Sequence, residues 1–308
     1  MHRNTGHGWV LLAFFFFVPH PAAGATPNGE CQPLGYDKAA LLELRSADFV
    51  IDDPAKRRRF AFDLLDCLGD PDPVLRDQVA YEGFATLLRG KQLDPVTVGQ
   101  LRTTLTEKLA AADDEDDGFR KPFAALVLSE VARADRVDPV FSDAQRAELV
   151  AAASNYMRSI DDYRGFDDEA GWRHAVAHTA DLLMQLALNP ALGTPQLLAI
   201  RDAVASQIAP AGVHFYVYGE SERLARPILF IAMRGVFTPE DWTAWFRDIA
   251  SPAPFDNWAT VFSSQAGLAK LHNTKAFVQV IYVNATASDN EALAPLEPAA
   301  LEALGALP

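Results

Sequence analysis

Two histidines and an aspartate interrupt an otherwise apolar stretch in the middle of the chain. His174, His178 and Asp181 are spaced at i, i+4 and i+7, which predicts that all three lie on one face of a helix. Two imidazoles and a carboxylate in that arrangement could bind a divalent metal ion and leave coordination positions open for water or a substrate. Ala175 occupies the place of the glutamate base in the His-Glu-x-x-His motif of zinc proteases, so the pattern does not predict a metalloprotease.

The same three residues also have a structural interpretation. A buried histidine and aspartate can pair with each other, or with Arg164 and Arg173, and so join neighbouring helices. Polar groups at packing positions cost stability unless they are hydrogen-bonded or bind something. The sequence therefore leaves two interpretations open, a ligand or metal site and a buried polar pair.

A second unusual stretch, 214–223, mixes aromatic and ionisable residues where a loop should lead into a helix. Binding residues concentrate on such loops. His214 and Glu222 are candidate acid–base groups. Tyr216 and Tyr218 either bind a ligand or pack against the next helix with their hydroxyls satisfied.

If consecutive helices stack, the 214–223 loop borders the same groove as the histidine helix. The groove is then expected to contain Trp172 and Tyr218.

Two acidic segments are weaker candidates. The run at 113–118 begins like a calcium loop, but Ala124 stands where the bidentate glutamate is needed, which favours a solvated loop. The triplet 167–169 precedes the histidines and is expected to cap their helix and interact with its dipole. One carboxylate of that triplet as a metal ligand is the alternative.

The elements that must position these residues are helices. Apolar residues recur at spacings of three and four in segment after segment, and breaks such as Asp94-Pro95 and Asn189-Pro190 separate them. Arg76, Arg120 and Arg173 each stand four residues before an alanine and open an apolar segment, and the first of these segments resembles a HEAT-type helix pair. We predict an all-α fold, a HEAT-like α-solenoid of stacked helix pairs. A closed α/α globular array is the alternative that the pattern does not separate from it.

The ends of the chain differ in composition from its middle. Residues 1–25 have a short positive start, a ten-residue apolar run and small residues at 23–25, and they predict a signal peptide for export to the periplasm or the medium. We expect a lead-in segment at 26–36, one helical domain at 37–285, and an Ala/Pro/Glu-rich tail at 286–308 with partial disorder and one weak helix. Apart from the signal, no segment is long enough to span a membrane.

Charge and cysteine content narrow the function classes. The formal net charge of −14 repels phosphate backbones, so nucleic-acid binding is not expected. Cys31 and Cys67 are the only cysteines. In an exported protein they could form one disulfide, and a buried thiol at 67 with a free one at 31 is the alternative.

Four segments carry a resemblance to a known family. They are YRGFDDEAGWRHAVAHTADLL, LLDCLGDPDPVLRD, GFRKPFAALVLSEVAR and HFYVYGESERLARP. With them the chain resembles a bacterial family called domain of unknown function 2785, from roughly Leu41 to Val283. The resemblance implies an all-helical, HEAT-like fold. It implies no activity and assigns no catalytic residues.

Together these patterns predict an exported, acidic binding module whose concave face takes a protein, peptide or small-molecule ligand. His174, His178 and Asp181 are its expected polar centre, with Trp172, Arg173, Arg164, Tyr216 and Tyr218 around them. The alternative is a hydrolase assisted by a divalent metal at the same three residues. The ligand, the oligomeric state and the choice between binding and catalysis are not determined by the sequence.

Overall fold

The computed structural model describes residues 31–111 and 118–308. The predicted signal peptide at 1–25, the first part of the lead-in segment and most of the acidic run at 113–118 lie outside the described residues.

Helices form almost all of the regular structure in these ranges. The α-helices are α1 (Lys38–Ser46), α2 (Pro54–Asp63), α3 (Glu82–Arg89), α4 (Pro95–Ala110), α5 (Arg120–Val137), α6 (Asp143–Ser159), α7 (Ala175–Ala187), α8 (Thr194–Ile208), α9 (Glu220–Ala232), α10 (Pro239–Ile249), α11 (Gln265–Thr286) and α12 (Leu296–Ala306). Short 3-10 helices span Pro33–Gly35, Leu64–Gly69, Thr260–Ser263 and Glu291–Leu293, and a π-helix spans Val74–Tyr81. Strands β1 (Phe166–Asp167) and β2 (Gly171–Trp172) form an antiparallel hairpin. The all-α prediction is confirmed.

Capping residues in the sequence set several helix starts. The Asp37 carboxylate accepts a hydrogen bond from Ala40 N and begins α1. Asp94 does the same for α4, where Pro95 takes the first helical position. Ser142 and Gln145 cap α6 reciprocally. The turn chemistry read from the sequence therefore divides the chain at these positions.

The helices pack in two rows. In one row α5 packs against α7, α7 against α9 and α9 against α11, and in the other α4 packs against α6 and α6 against α8. Contacts between α4 and α5, between α6 and α7 and between α8 and α9 join the rows. These neighbours agree with stacked helix pairs, while the choice between an open solenoid and a closed array stays a prediction.

α7 packs against α5 on one side and against α9 on the other. Both α5 and α7 bury small side chains, and Ala124, Ala125, Ala177 and Ala180 are completely buried.

The first described residues are tied to the helical body. Cys31 and Cys67 form a disulfide across 36 positions of sequence. Both residues are buried. Of the two interpretations of these cysteines, the structure therefore contains the disulfide.

The tail contains the predicted terminal helix, but the helix packs firmly. α12 lies against α10 and α11, and Leu296 and Ala300 are completely buried. The structure describes residues 296–306 as an ordered helix, where the composition led us to expect partial disorder. A leucine and several alanines give this short helix an apolar face that packs against the body.

Within the described residues, no helix combines the length and the apolar character needed to cross a membrane.

Candidate functional site

The hairpin and the loop before α9 together form an open cleft, here called the hairpin cleft. Its volume is about 430 Å³. The lining residues are Tyr163, Arg164, Gly165, Phe166, Asp167, Arg173, His214 and Tyr218. The 214–223 loop therefore shares a cleft with the segment that precedes the histidine helix, and the residues that line this cleft include none from the helix itself.

The hairpin is fixed to the body by a buried arginine. Arg76 is completely buried and its Nη2 donates to the Ala170 carbonyl at 2.8 Å. The guanidinium carbons of Arg76 and Arg173 lie 4.0 and 4.3 Å from the centre of the Phe119 ring. These cation–π contacts stabilise two guanidinium groups. One is bonded to the hairpin turn at Ala170, and the other belongs to Arg173, which directly follows β2. Two of the three arginines in the sequence repeat thus meet at one aromatic ring.

The acidic triplet has a role in the hairpin, and not in a helix cap. Asp167 accepts hydrogen bonds from Glu169 N at 2.9 Å and Ala170 N at 2.7 Å. This turn joins the two strands, so the capping role expected for the triplet is wrong for Asp167. A hairpin of two-residue strands carries no periodic signal that the sequence could reveal.

Four rings form an aromatic cluster beside the cleft. Trp172 stacks on His174 with ring centres 4.7 Å apart, and it contacts Phe166 at 5.0 Å and Tyr218 at 5.8 Å. Tyr218 is 39% exposed and Trp172 is half-buried. Both rings predicted for the groove therefore keep accessible surface.

Gly165 allows Tyr218 to reach the hairpin. A Cβ atom at position 165 would overlap the Tyr218 ring. The contact needs a residue without a side chain. This glycine therefore fixes one wall of the cleft.

His174 lies outside the helix that the spacing predicted for it. It is the residue before α7 and has a left-handed backbone with φ of 56°, which is uncommon for a residue other than glycine. Only His178 and Asp181 lie within α7. The prediction that all three residues share one helix face is therefore wrong for His174. The bend nevertheless keeps the two imidazoles close, with ring centres 5.7 Å apart.

His174, His178 and Glu220 form a buried group, here called the histidine cluster. His174 Nε2 is 4.0 Å from Glu220 Oε1. The backbone of Tyr218 favours protonation of His174, and that of Pro122 favours protonation of His178. Nε2 of His174 and Nδ1 of His178 are buried and have no hydrogen-bond partner among the described residues.

Burial keeps the two imidazoles of the histidine cluster uncharged near neutral pH. Burial, with Arg223 as the next cause, lowers the pKa of His174 to about 4. Burial, followed by His174 and then Arg223, lowers the pKa of His178 to about 3. Burial also raises the pKa of Glu220. A neutral imidazole carries a proton on one ring nitrogen and a lone pair on the other, so each of the two buried rings keeps one acceptor nitrogen.

Asp181 is engaged by α9. Arg223 donates to its carboxylate and Arg226 Nη1 lies 3.6 Å away. Burial raises the pKa of Asp181, and the two arginines oppose that shift. Asp181 therefore pairs with arginines, as the structural interpretation expects, but its partners are Arg223 and Arg226 and not Arg164 and Arg173.

The donor geometry does not favour a metal site. Across residues 31–111 and 118–308, no group of three His, Cys, Asp or Glu side chains is arranged to bind a metal ion. The Asp181 carboxylate, the expected third ligand, is bonded to Arg223. Within the described residues, the structure therefore gives no support to the metal-assisted hydrolase.

The remaining candidates from the 214–223 stretch separate into different environments. Tyr216 is buried and its hydroxyl donates to the Gln207 carbonyl at 2.9 Å, which is a packing role. His214 lines the cleft and stacks on Tyr163 with ring centres 5.2 Å apart. Glu222 is exposed on α9. The structure brings His214 into the cleft and leaves Glu222 at the surface.

Glu220, whose carboxyl group faces His174, was not among the predicted site residues. It stands two positions before Glu222, and a rotation of about 100° per residue puts the two on nearly opposite sides of a helix. Gly219 has a left-handed φ of 83° and immediately precedes α9, whose first residue, Glu220, is buried. Its carboxylate accepts a hydrogen bond from Tyr218 N at 2.8 Å.

Comparison with known proteins identifies a family. The sequence model described as protein of unknown function (DUF2785) matches residues 105–283. The chain belongs to the DUF2785 family. The matched region of this DUF2785 protein contains the whole hairpin cleft and the histidine cluster. No curated protein and no solved structure matches the chain.

Proposed function

We propose that this DUF2785 protein is an exported binding protein whose hairpin cleft takes a small ligand or a short peptide segment. The observation that carries the proposal is the lining of the cleft, which combines aromatic rings with charged groups. Two of these rings, Phe166 and Tyr218, contact Trp172, which stacks on the buried His174 with its unpartnered Nε2. Buried polar atoms without partners and perturbed pKa values concentrate at functional sites.

The lining chemistry supports binding of a flat, polar group. The rings of Tyr163, Phe166 and Tyr218 offer surfaces for stacking, while Arg164 and Asp167 offer charged groups at the edge. Ligand sites typically combine apolar walls with a few polar groups, in volumes of roughly 300–1,000 Å³. A cleft of about 430 Å³ suits a small molecule or a few side chains better than a folded partner.

Export is part of the proposal and rests on two observations. The first 25 residues have the pattern of a signal peptide. The Cys31–Cys67 disulfide suits an oxidising compartment, since disulfides are rare in a reducing cytosol.

A panel of saccharides, aromatic acids and short peptides tests the binding function by ligand-observed nuclear magnetic resonance. We expect at least one class to bind the wild type and to lose its signal with Tyr218→Ala. Phe262→Ala is the matched control because Phe262 is an exposed aromatic residue away from the cleft. Equal binding by both variants, or a full panel without binding, contradicts the proposed function.

Export is tested separately by expressing the full chain in a bacterial host and separating periplasm, medium and cytosol. We expect the protein outside the cytosol, with its mature N-terminus near position 26. Retention of the uncleaved chain in the cytosol contradicts export and leaves the binding experiment unaffected.

A further inference from the structure

A second cavity lies at the C-terminal ends of α3 and α5 and is here called the α3–α5 cavity. It is formed where α3 and α5 end and their loops lead into α4 and α6, and its volume is about 460 Å³. The 18 residues of α5 place it about 25 Å from the hairpin cleft, at a rise of 1.5 Å per residue. The cavity and the hairpin cleft have no lining residue in common.

The wall of the α3–α5 cavity is apolar. Leu88, Leu93 and Val98 line it from the α3–α4 side and are buried. Ala134 and Val140 line it from the α5–α6 side. A cavity of this size with an aliphatic wall favours an apolar group that leaves water.

The charged side chains at the rim are paired, with one exception. Arg89 Nε donates to Glu130 at 2.8 Å, and Lys91 Nζ donates to Asp138 at 2.9 Å. Asp94 accepts hydrogen bonds from the backbone and hydroxyl of Thr97 and caps α4.

Arg133 is the exception. It lines the same cavity and is half-buried. The structure records no hydrogen bond or ion pair between Arg133 and any residue in 31–111 or 118–308. A guanidinium without a counter-charge beside an apolar wall favours an anion, and its planar donor pairs match a carboxylate.

We propose that the α3–α5 cavity binds an amphiphilic carboxylate, with a short alkyl or similar apolar body against the aliphatic wall and the carboxylate on Arg133. The exposed Val137 at the mouth extends the apolar surface over the bound chain. The net negative charge of the protein opposes anion binding over most of its surface. The positive charge of Arg133 makes this cavity an exception that favours a carboxylate.

Three probes of equal chain length test the charge preference on the mature protein. Octanoate, octanol and octylammonium share an apolar body and differ in charge. Titration calorimetry at neutral pH should show saturable binding of octanoate, weaker binding of octanol and the weakest binding of octylammonium. Octylammonium binding as tightly as octanoate, or octanoate that does not saturate, overturns the proposal.

Arg133→Met tests the guanidinium. The variant should weaken octanoate binding at least about tenfold, since a charge-assisted hydrogen bond is lost, and should leave octanol binding unchanged. Arg136→Met is the matched control, because Arg136 is on the same helix but bonds Gln185. An unchanged octanoate affinity in Arg133→Met contradicts the assignment.

Ala134→Leu provides a second variant that fills the cavity and keeps the charge. It should weaken octanoate and octanol alike, and undiminished binding of both places the probes elsewhere. Tyr218→Ala should leave octanoate affinity unchanged, so failure of this site is distinguishable from failure of the hairpin cleft.

Discussion

At the scale of residues, the histidine cluster combines an unusual backbone with uncharged imidazoles. The left-handed conformation of His174 costs roughly 1–2 kcal/mol for a residue other than glycine. Burial removes the charge from both rings. The surrounding packing therefore maintains both the left-handed backbone of His174 and the two buried neutral rings, each of which is unfavourable alone. We expect acid to destabilise this region of the protein first.

The pH dependence of stability follows from the lowered histidine pKa values. An unfolded histidine binds a proton below about pH 6.5, whereas His174 and His178 in the folded protein do so only near pH 4 and 3. The unfolded state thus binds more protons between these values, and the free energy of unfolding falls as the pH falls from about 6.5 to 4.

The variant His174→Asn/His178→Gln should show a smaller acid loss than the wild type, by on the order of 1–3 kcal/mol. Asparagine tolerates the left-handed backbone at position 174. Urea unfolding at several pH values measures the difference. The raised pKa values of Asp181 and Glu220 act in the opposite direction, so the comparison between the two proteins is decisive. Parallel curves would contradict the assignment.

Gly165 allows a second test at this scale. Gly165→Ala places a methyl group in the Tyr218 ring and should destabilise the protein by about 1–3 kcal/mol through overpacking. Gly99→Ala is the control, since a Cβ there meets nothing within 4 Å on α4, and it should stabilise by about 0.5–1 kcal/mol. Thermal unfolding measures both, and equal effects would show that Tyr218 moves aside freely.

At the scale of elements, one buried carboxylate connects three helices. Asp135 on α5 accepts hydrogen bonds from Arg146 Nε on α6 at 2.7 Å and from Asn189 Nδ2 after α7 at 3.0 Å. It also accepts from the Val140 and Phe141 amides. Although burial raises its pKa, these hydrogen bonds outweigh burial and lower it.

Asp135→Ala should cost about 3–5 kcal/mol, because it leaves the buried Arg146 guanidinium without its main counter-charge. Asp143→Ala is matched to it, since Asp143 also pairs with Arg146 but its side chain is 94% exposed, and its cost should be below about 1 kcal/mol. Denaturant unfolding measures both variants. Similar losses would mean that the buried pair does not join the helices.

At the scale of the whole molecule, the sequence predicts what depends on neighbours along the chain. Helix periodicity, the Asp94 cap and the apolar α7 needed no knowledge of tertiary contacts. The selection of Arg223 as partner of Asp181 depends on how α7 and α9 align, which no local pattern encodes. The approach of Tyr218 to Gly165 is likewise a contact between distant segments. The histidine region was thus located by sequence, while its bonding partners required the structure.

Removing the disulfide should destabilise the whole molecule. Cys31→Ala/Cys67→Ala opens a loop of 36 positions and should lower the free energy of unfolding by about 2–4 kcal/mol. Reductant should lower the wild-type value similarly and leave the variant unchanged. A variant as stable as the oxidised wild type would show that the helices alone hold this end.

The same disulfide determines what a protease cut in the basic stretch at 56–59 on α2 does to the chain. Arg59 has a side chain that is 73% exposed, and the stretch lies between the two bonded cysteines. A single tryptic cut there leaves both pieces covalently joined, so the nicked protein migrates as one band without reductant and as two bands with it.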